Sequence, residues 1–117
     1  MIHTSGIYVI ESKNYSGWIF GNEKQTYWTQ TLSKGRRGTQ KEKFYNPIMQ
    51  NKSHIKWVEK QVGNINNIYS LIVFSERCTL KSVEVTSPNV WVMKRNILKS
   101  KINSIAIDNQ NILSQEE

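Results

Sequence analysis

Apolar residues fall in short consecutive runs along most of this chain, and helical spacing replaces them once. Ile7-Tyr8-Val9-Ile10 is β-branched and aromatic, apolar at successive positions, and bounded by Gly6 and Asn14. Such a run predicts a central strand covered on both faces. Asn14-Tyr15-Ser16-Gly17 is a turn cluster, Trp18-Ile19-Phe20 resumes a strand, and Gly21-Asn22 closes it. These signals predict a hairpin between the two strands. Tyr27-Trp28-Thr29-Gln30-Thr31 reads as a further strand. The segment Lys34-Gly35-Arg36-Arg37-Gly38-Thr39-Gln40-Lys41 has no apolar period and reads as a glycine-rich basic loop.

Asn46-Pro47 then predicts a helix start, with Asn as N-cap and Pro at the first helical position. Ile48, Ile55, Val58 and Val62 form an apolar stripe at helical spacing, ended by Gly63-Asn64. Gln50, His54, Trp57 and Gln61 fall on the adjoining flank. Ile68 to Phe74 predicts a second buried strand, Val83 to Val85 and Val90 to Met93 short strands, and Lys94 to Ile102 a short basic helix. The order of strands, helix, strand, strand and helix predicts an α/β fold, a mixed sheet with helices packed on it. No internal repeat or low-complexity tract interrupts it. Both ends read as cut: Ser114-Gln115-Glu116-Glu117 fits a capping box for a helix that does not follow, and Met1-Ile2-His3 runs straight into a turn.

Composition narrows the class. A chain of 117 residues with 38% hydrophobic content and four Trp can bury a core as one domain over residues 1–117. Lys and Arg outnumber Asp and Glu by 16 to 9, a formal charge of +7 with a pI near 9.6. That excess favours polyanionic partners. Cys78 is the single cysteine, which excludes an internal disulfide framework and makes a reducing cytoplasm the simplest setting. There is no basic start with an apolar core like a secretory signal, and the apolar run at 68–74 is too short to span a bilayer. A soluble, cytoplasmic chain without a membrane partner is expected.

The candidate chemistry lies where the first strand ends. Side chains alternate along a strand, so Glu11 and Lys13 share one face. A carboxylate can hold a divalent metal, and an ammonium beside it can steady a phosphate; that pairing suits phosphodiester hydrolysis. An exposed ion pair of little energetic consequence is the ordinary alternative.

Three pieces in order carry a resemblance: Gly6-Ile7-Tyr8-Val9-Ile10-Glu11-Ser12-Lys13-Asn14-Tyr15-Ser16-Gly17, then Asn46-Pro47-Ile48-Met49-Gln50-Asn51, then the apolar strand ending Val73-Phe74-Ser75. Over about its first two thirds the chain resembles the nuclease-related domain (NERD), a branch of the restriction-endonuclease-like PD-(D/E)xK superfamily. The resemblance implies a restriction-endonuclease-like mixed β-sheet flanked by helices, here without the N-terminal helix and first strands, with its core at 5–75 and a strand-and-helix region at 80–117. It implies metal-dependent cleavage of nucleic acid, DNA ahead of RNA. Glu11 would be a metal ligand for Mg²⁺ or Mn²⁺, Lys13 the catalytic lysine, and Gln50 would point from the helix toward them. The backbone carbonyl of Ser12 would offer another metal oxygen.

The family pattern also places an aspartate roughly thirteen residues before the glutamate, a position that falls before Met1; the one Asp present is Asp108. Mg²⁺ usually takes one or two carboxylates plus water and phosphate. Unit charges about 4 Å apart interact by roughly 4 kcal/mol at an effective dielectric near 20, so one missing carboxylate weighs heavily. The chain as written is therefore expected to bind Mg²⁺ weakly and to cleave poorly. A non-catalytic nucleic-acid-binding module on the same fold is the alternative, and a regulatory interaction domain a third.

The remaining candidates each have an ordinary reading. Lys34, Arg36, Arg37, Lys41 and Lys43 could hold backbone phosphates, or form a solvated loop. Gln50 could be an exposed helix residue. His54 reads as a helix-surface histidine, His3 as a turn residue, and Cys78 as inert. Trp18, Tyr27 and Trp28 could stack on bases, although core packing is the expectation for aromatics on short strands.

Overall fold

In the computed structural model the backbone is described at residues 2–3, 6–63 and 68–116, and side chains at 6–61, 63 and 68–107. Eight strands and two longer helices follow in order: β1 (Ile2–His3), β2 (Gly6–Lys13), β3 (Gly17–Asn22), β4 (Tyr27–Ser33), β5 (Thr39–Tyr45), α1 (Pro47–Val62), β6 (Ile68–Phe74), β7 (Cys78–Glu84), β8 (Val90–Lys94) and α2 (Leu98–Glu116). They form an α/β fold, but the strands divide into two four-stranded sheets, ordered β1-β2-β6-β8 and β5-β4-β3-β7.

The expected hairpin of β2 with β3 does not form. β2 pairs in parallel with β6, Ile7 to Ile68 through Lys13 to Phe74. β3 pairs antiparallel with β4 and in parallel with β7. Asn14 to Ser16 carry the chain from the first sheet to the second. Gly17 receives it at φ 79, where an added Cβ would lie 2.3 Å from the Thr31 carbonyl oxygen, so only glycine fits this changeover.

Other boundaries also move. Ile2 and His3 pair with Ile7 and Gly6, so they form a short strand and not a turn; the His3 side chain lies outside the described residues. The basic loop contracts to a 3₁₀ turn at Gly35–Arg37, and Lys41 and Lys43 stand on β5. β7 starts at Cys78, well before the expected Val83, and Val85 lies beyond its end. The basic helix begins at Leu98 and runs to Glu116, so Ser114 lies inside a helix and does not open one. Asn64 is outside the described residues.

Alternation sorts the first sheet into two buried faces. Tyr8, Tyr69, Leu71, Val73 and Met93 meet Ile102 and Ile105 of α2. Ile72 and Phe74 face the other way, onto Ile48 of α1 and onto Ile19, Trp28 and Cys78 of the second sheet. The second sheet thus packs its inner face on the core and leaves its outer face to solvent. Burial raises the Cys78 thiol above its ordinary pKa, which keeps it protonated and unreactive at neutral pH.

Glu23 fastens the β3–β4 turn to the segment after β7. Its Oε1 accepts hydrogen bonds from Thr86 N at 2.7 Å, Ser87 N at 2.9 Å and the Thr86 hydroxyl. Bonds from Ser87 and then Thr86 lower its pKa from 4.5 to about 2. A depressed folded-state value means the stabilisation is complete above the unfolded value and disappears as pH falls through the folded one. Wild-type stability should therefore drop between about pH 4.5 and 2. Glu23→Gln should be less stable at neutral pH and flatter across that window; a parallel loss in urea midpoints for both proteins would contradict this.

Candidate functional site

The carboxyl end of β2 presents Glu11 and Lys13 on the face turned toward α1, as their i, i+2 spacing requires. Parallel pairing with β6 holds this end of the strand in place, and Ser75 N continues the ladder to Lys13 O at 3.0 Å. The Ser75 hydroxyl also donates to Tyr15 O, and Arg77 Nη2 donates to Asn14 Oδ1 at 2.9 Å. The turns after β2 and β6 are thereby tied together at the rim of the site.

Helix α1 supplies the opposite wall. Asn46 accepts from Ile48 N at 2.8 Å, and Asn46 Nδ2 donates to the Glu23 and Gln25 carbonyls at 2.9 and 2.8 Å. The helix start is thus pinned to the β3–β4 turn as well as capped. One turn on, fully buried Asn51 donates from Nδ2 to Val9 O and to Ser70 Oγ, each at 2.8 Å. These two bonds clamp α1 across β2 and β6 and fix its rotation. Asn51 Oδ1 has no hydrogen-bond partner among the described residues.

With α1 so placed, Gln50 and His54 lie over the strand end. Lys13 Nζ donates to Gln50 Oε1 at 2.9 Å and lies 3.4 Å from Glu11 Oε1. His54 Nδ1 is 3.3 Å from Glu11 Oε2. Glu11 and Lys13 are largely shielded, with 16% and 17% of their side-chain surface exposed, while His54 is about half exposed. A shielded carboxylate and ammonium with a more accessible imidazole at the mouth can orient one another and receive an anion from solvent.

Glu11, Lys13 and Gln50 are therefore brought together as the sequence led us to expect. Ser12, one residue out of phase, has an exposed side chain on the other face of β2. His54 was expected to be an unengaged surface residue, yet it meets the glutamate; its helical spacing of four from Gln50 was the available signal. Nothing in the sequence marked Asn51 as the clamp. Lys34, Arg36, Arg37, Lys41 and Lys43 are all exposed on the β4–β5 hairpin, away from any bond to Glu11, Lys13 or Gln50 among the described residues. Trp28 is fully buried as expected, whereas Trp18 and Tyr27 are exposed.

The donor set does not make a divalent-cation site by itself. Among the described residues no three His, Cys, Asp or Glu side chains converge. Both Glu11 oxygens already face a basic group, so a cation would compete with Lys13 or His54 for the one carboxylate present.

Among the described residues no helix is long and apolar enough to cross a membrane. No solved structure matches the chain. An uncharacterised Bacillus anthracis protein is 38% identical over 104 residues, 89% of this chain and 47% of the relative, so the chain spans about half of that protein's length. Residues 1–75 match the profile described as the nuclease-related domain, NERD, and they contain β1 to β6, α1, and Glu11, Lys13, Gln50 and His54 alike. On that match, which covers more than half of its length, the chain belongs to the nuclease-related domain family.

Proposed function

We propose that Glu11, Lys13, Gln50 and His54 form the phosphodiester-handling site of a DNA-directed nuclease domain. The observation that carries this reading is the Lys13 ammonium, held between Glu11 Oε1 and Gln50 Oε1 at the end of a parallel strand. An ammonium oriented by two oxygens keeps a proton free for a third acceptor, and a phosphate oxygen is the natural one. Glu11 positions Lys13 and His54 from opposite oxygens. The exposed imidazole of His54 is placed to meet the anion at the mouth. Exposed Lys34, Arg36, Arg37, Lys41 and Lys43 would add backbone-phosphate contacts that raise affinity without reading sequence.

Mg²⁺ or Mn²⁺ would be bound weakly by this donor set, with Glu11 and the Ser12 carbonyl as the protein oxygens, and DNA cleavage by the chain should be poor. A variant extended upstream to supply an aspartate on a strand before β2 should cleave faster. Equal cleavage by the two proteins would refute the assignment of the weakness to a donor set with Glu11 as its one carboxylate among the described residues. Lys13→Ala should abolish residual metal-dependent cleavage, a loss of at least about a hundredfold for a group stabilising developing phosphate charge. The outcome is read by gel cleavage of labelled DNA with Mg²⁺ or Mn²⁺.

A second reading is favoured by the pairing of both Glu11 oxygens: a non-catalytic nucleic-acid-binding module. It expects salt-sensitive binding without cleavage, unchanged by Lys13→Ala in metal-free buffer.

A further inference from the structure

The outer face of the second sheet combines aromatic and basic side chains that the core does not use. Burial of Ile19 on β3 and Trp28 on β4 turns Trp18, Phe20, Thr29 and Thr31 outward. Register then lays out two adjacent rungs. Trp18 sits opposite Thr31, which sits opposite Lys41; Phe20 sits opposite Thr29, which sits opposite Lys43. On the far side of β3, Lys81 of β7 places Nζ 4.8 Å from the Trp18 ring centroid. Trp18 and Phe20 meet edge to face at 6.4 Å, and Tyr27 and Tyr45 make a second exposed pair at 6.4 Å at the far end. Trp18, Phe20, Thr29, Thr31, Thr39 and Lys41 line a shallow groove on this face.

Two aromatic rings flanked on both sides by ammonium groups match one kind of partner. Trp18 is 49% and Tyr27 59% exposed, too much clustered aromatic surface for incidental exposure on one sheet face. The only carboxylate that register places outward on these strands, Glu84, is at the end of β7 and is bonded to Asn22 Nδ2 at 3.2 Å. The charge beside the rings is thus uniformly positive. Rings offer stacking to bases, and lysines on either side offer contacts to the phosphates of the same strand. A duplex hides its base faces and could use only the lysines.

We infer that the outer face of the β5-β4-β3-β7 sheet is a binding platform for single-stranded nucleic acid, with bases stacked on Trp18 and Phe20 and phosphates held by Lys41, Lys43 and Lys81. This rests on the nucleic-acid reading above but shares no residue with the Glu11 site. It also makes the exposed β4–β5 hairpin part of a surface continuous with that platform.

The test uses the full chain and fluorescein-labelled oligothymidylate, read by anisotropy across a salt series, with a duplex of equal length beside it. Oligothymidylate should bind more tightly than the duplex at equal salt. Trp18→Ala should weaken single-strand binding about tenfold and Trp18→Phe should recover most of it. Lys41→Gln with Lys43→Gln should reduce the slope of log affinity against log salt by about 1.4, the value for two phosphate contacts on a single strand. Absence of oligothymidylate binding, duplex binding as tight as single-strand binding, or affinity within twofold for Trp18→Ala would each overturn the platform. If Lys13→Ala abolishes binding while Trp18→Ala does not, the platform fails and the Glu11 site stands. Weakened binding in the lysine pair alone, with Trp18→Ala unaffected, would overturn the stacking platform and leave a surface that holds phosphates only.

Discussion

Gly21→Ala is expected to cost about 3 kcal/mol of stability, at the upper end for adding one methyl group to a packed core. An added Cβ would lie 2.2 to 2.5 Å from three atoms of the Trp28 indole. The ring cannot retreat. It is fully buried, stacks on Phe74 with an interplanar angle of 9°, and donates from Nε1 to Asn22 O at 3.0 Å. Trp28→Ala should in turn cost about 4 kcal/mol, from lost burial and the cavity left behind. In Gly21→Ala/Trp28→Ala the collision is gone, so the two penalties should sum to clearly less than their separate values. Urea unfolding of the four proteins measures the coupling; strict additivity, or a cost under about 1 kcal/mol for Gly21→Ala, would contradict the geometry.

Asn51→Leu should cost about 3 kcal/mol although it replaces a polar group by an apolar one of similar size. Both hydrogen bonds from Nδ2 disappear, leaving Val9 O and the Ser70 hydroxyl short of a partner inside the core, at about 1–3 kcal/mol each. The unpartnered Asn51 Oδ1 is removed at the same time, which returns a part of that loss. The variant should also lose function beyond its loss of stability, because these bonds set the rotation that places Gln50 and His54 over Glu11 and Lys13. Cleavage or DNA binding, measured where the variant is still folded, should fall several-fold. Full retention of activity by folded Asn51→Leu would mean that α1 is positioned without the clamp.

The contrast between Gln50 and Asn51 shows what the sequence could reveal. Local chemistry is legible: Asn46-Pro47 announces a helix wherever it occurs, and the alternation around Glu11 puts Lys13 on the same face regardless of what the strand pairs with. Continuous apolar runs at 7–10 and 68–74 likewise mark buried strands before any partner is known. Pairing is not local. The choice of β6 over β3 as the neighbour of β2 depends on the Gly17 changeover and on how two sheets share one core. The first half of β7 escaped notice because Thr79, Lys81 and Ser82 belong to a sheet whose outer face is wet, so its pattern lacks a dense apolar run. Lys41 and Lys43 read as loop for the same reason. His54 and Asn51 acquire meaning only from groups at Glu11, Val9 and Ser70, far away in sequence. An asparagine inside a helix ordinarily reads as surface.

The parallel pairing of Ile7 with Ile68 through Lys13 with Phe74 has a consequence for biosynthesis. Glu11 and Lys13 are synthesised well before the ribbon that aligns them, β6, which is made only after α1 has been completed. Closing a contact of such long sequence separation is slow. A nascent chain therefore carries Glu11 and Lys13 unassembled until Phe74 emerges, and a fragment ending before it would have both side chains without the strand that aligns them.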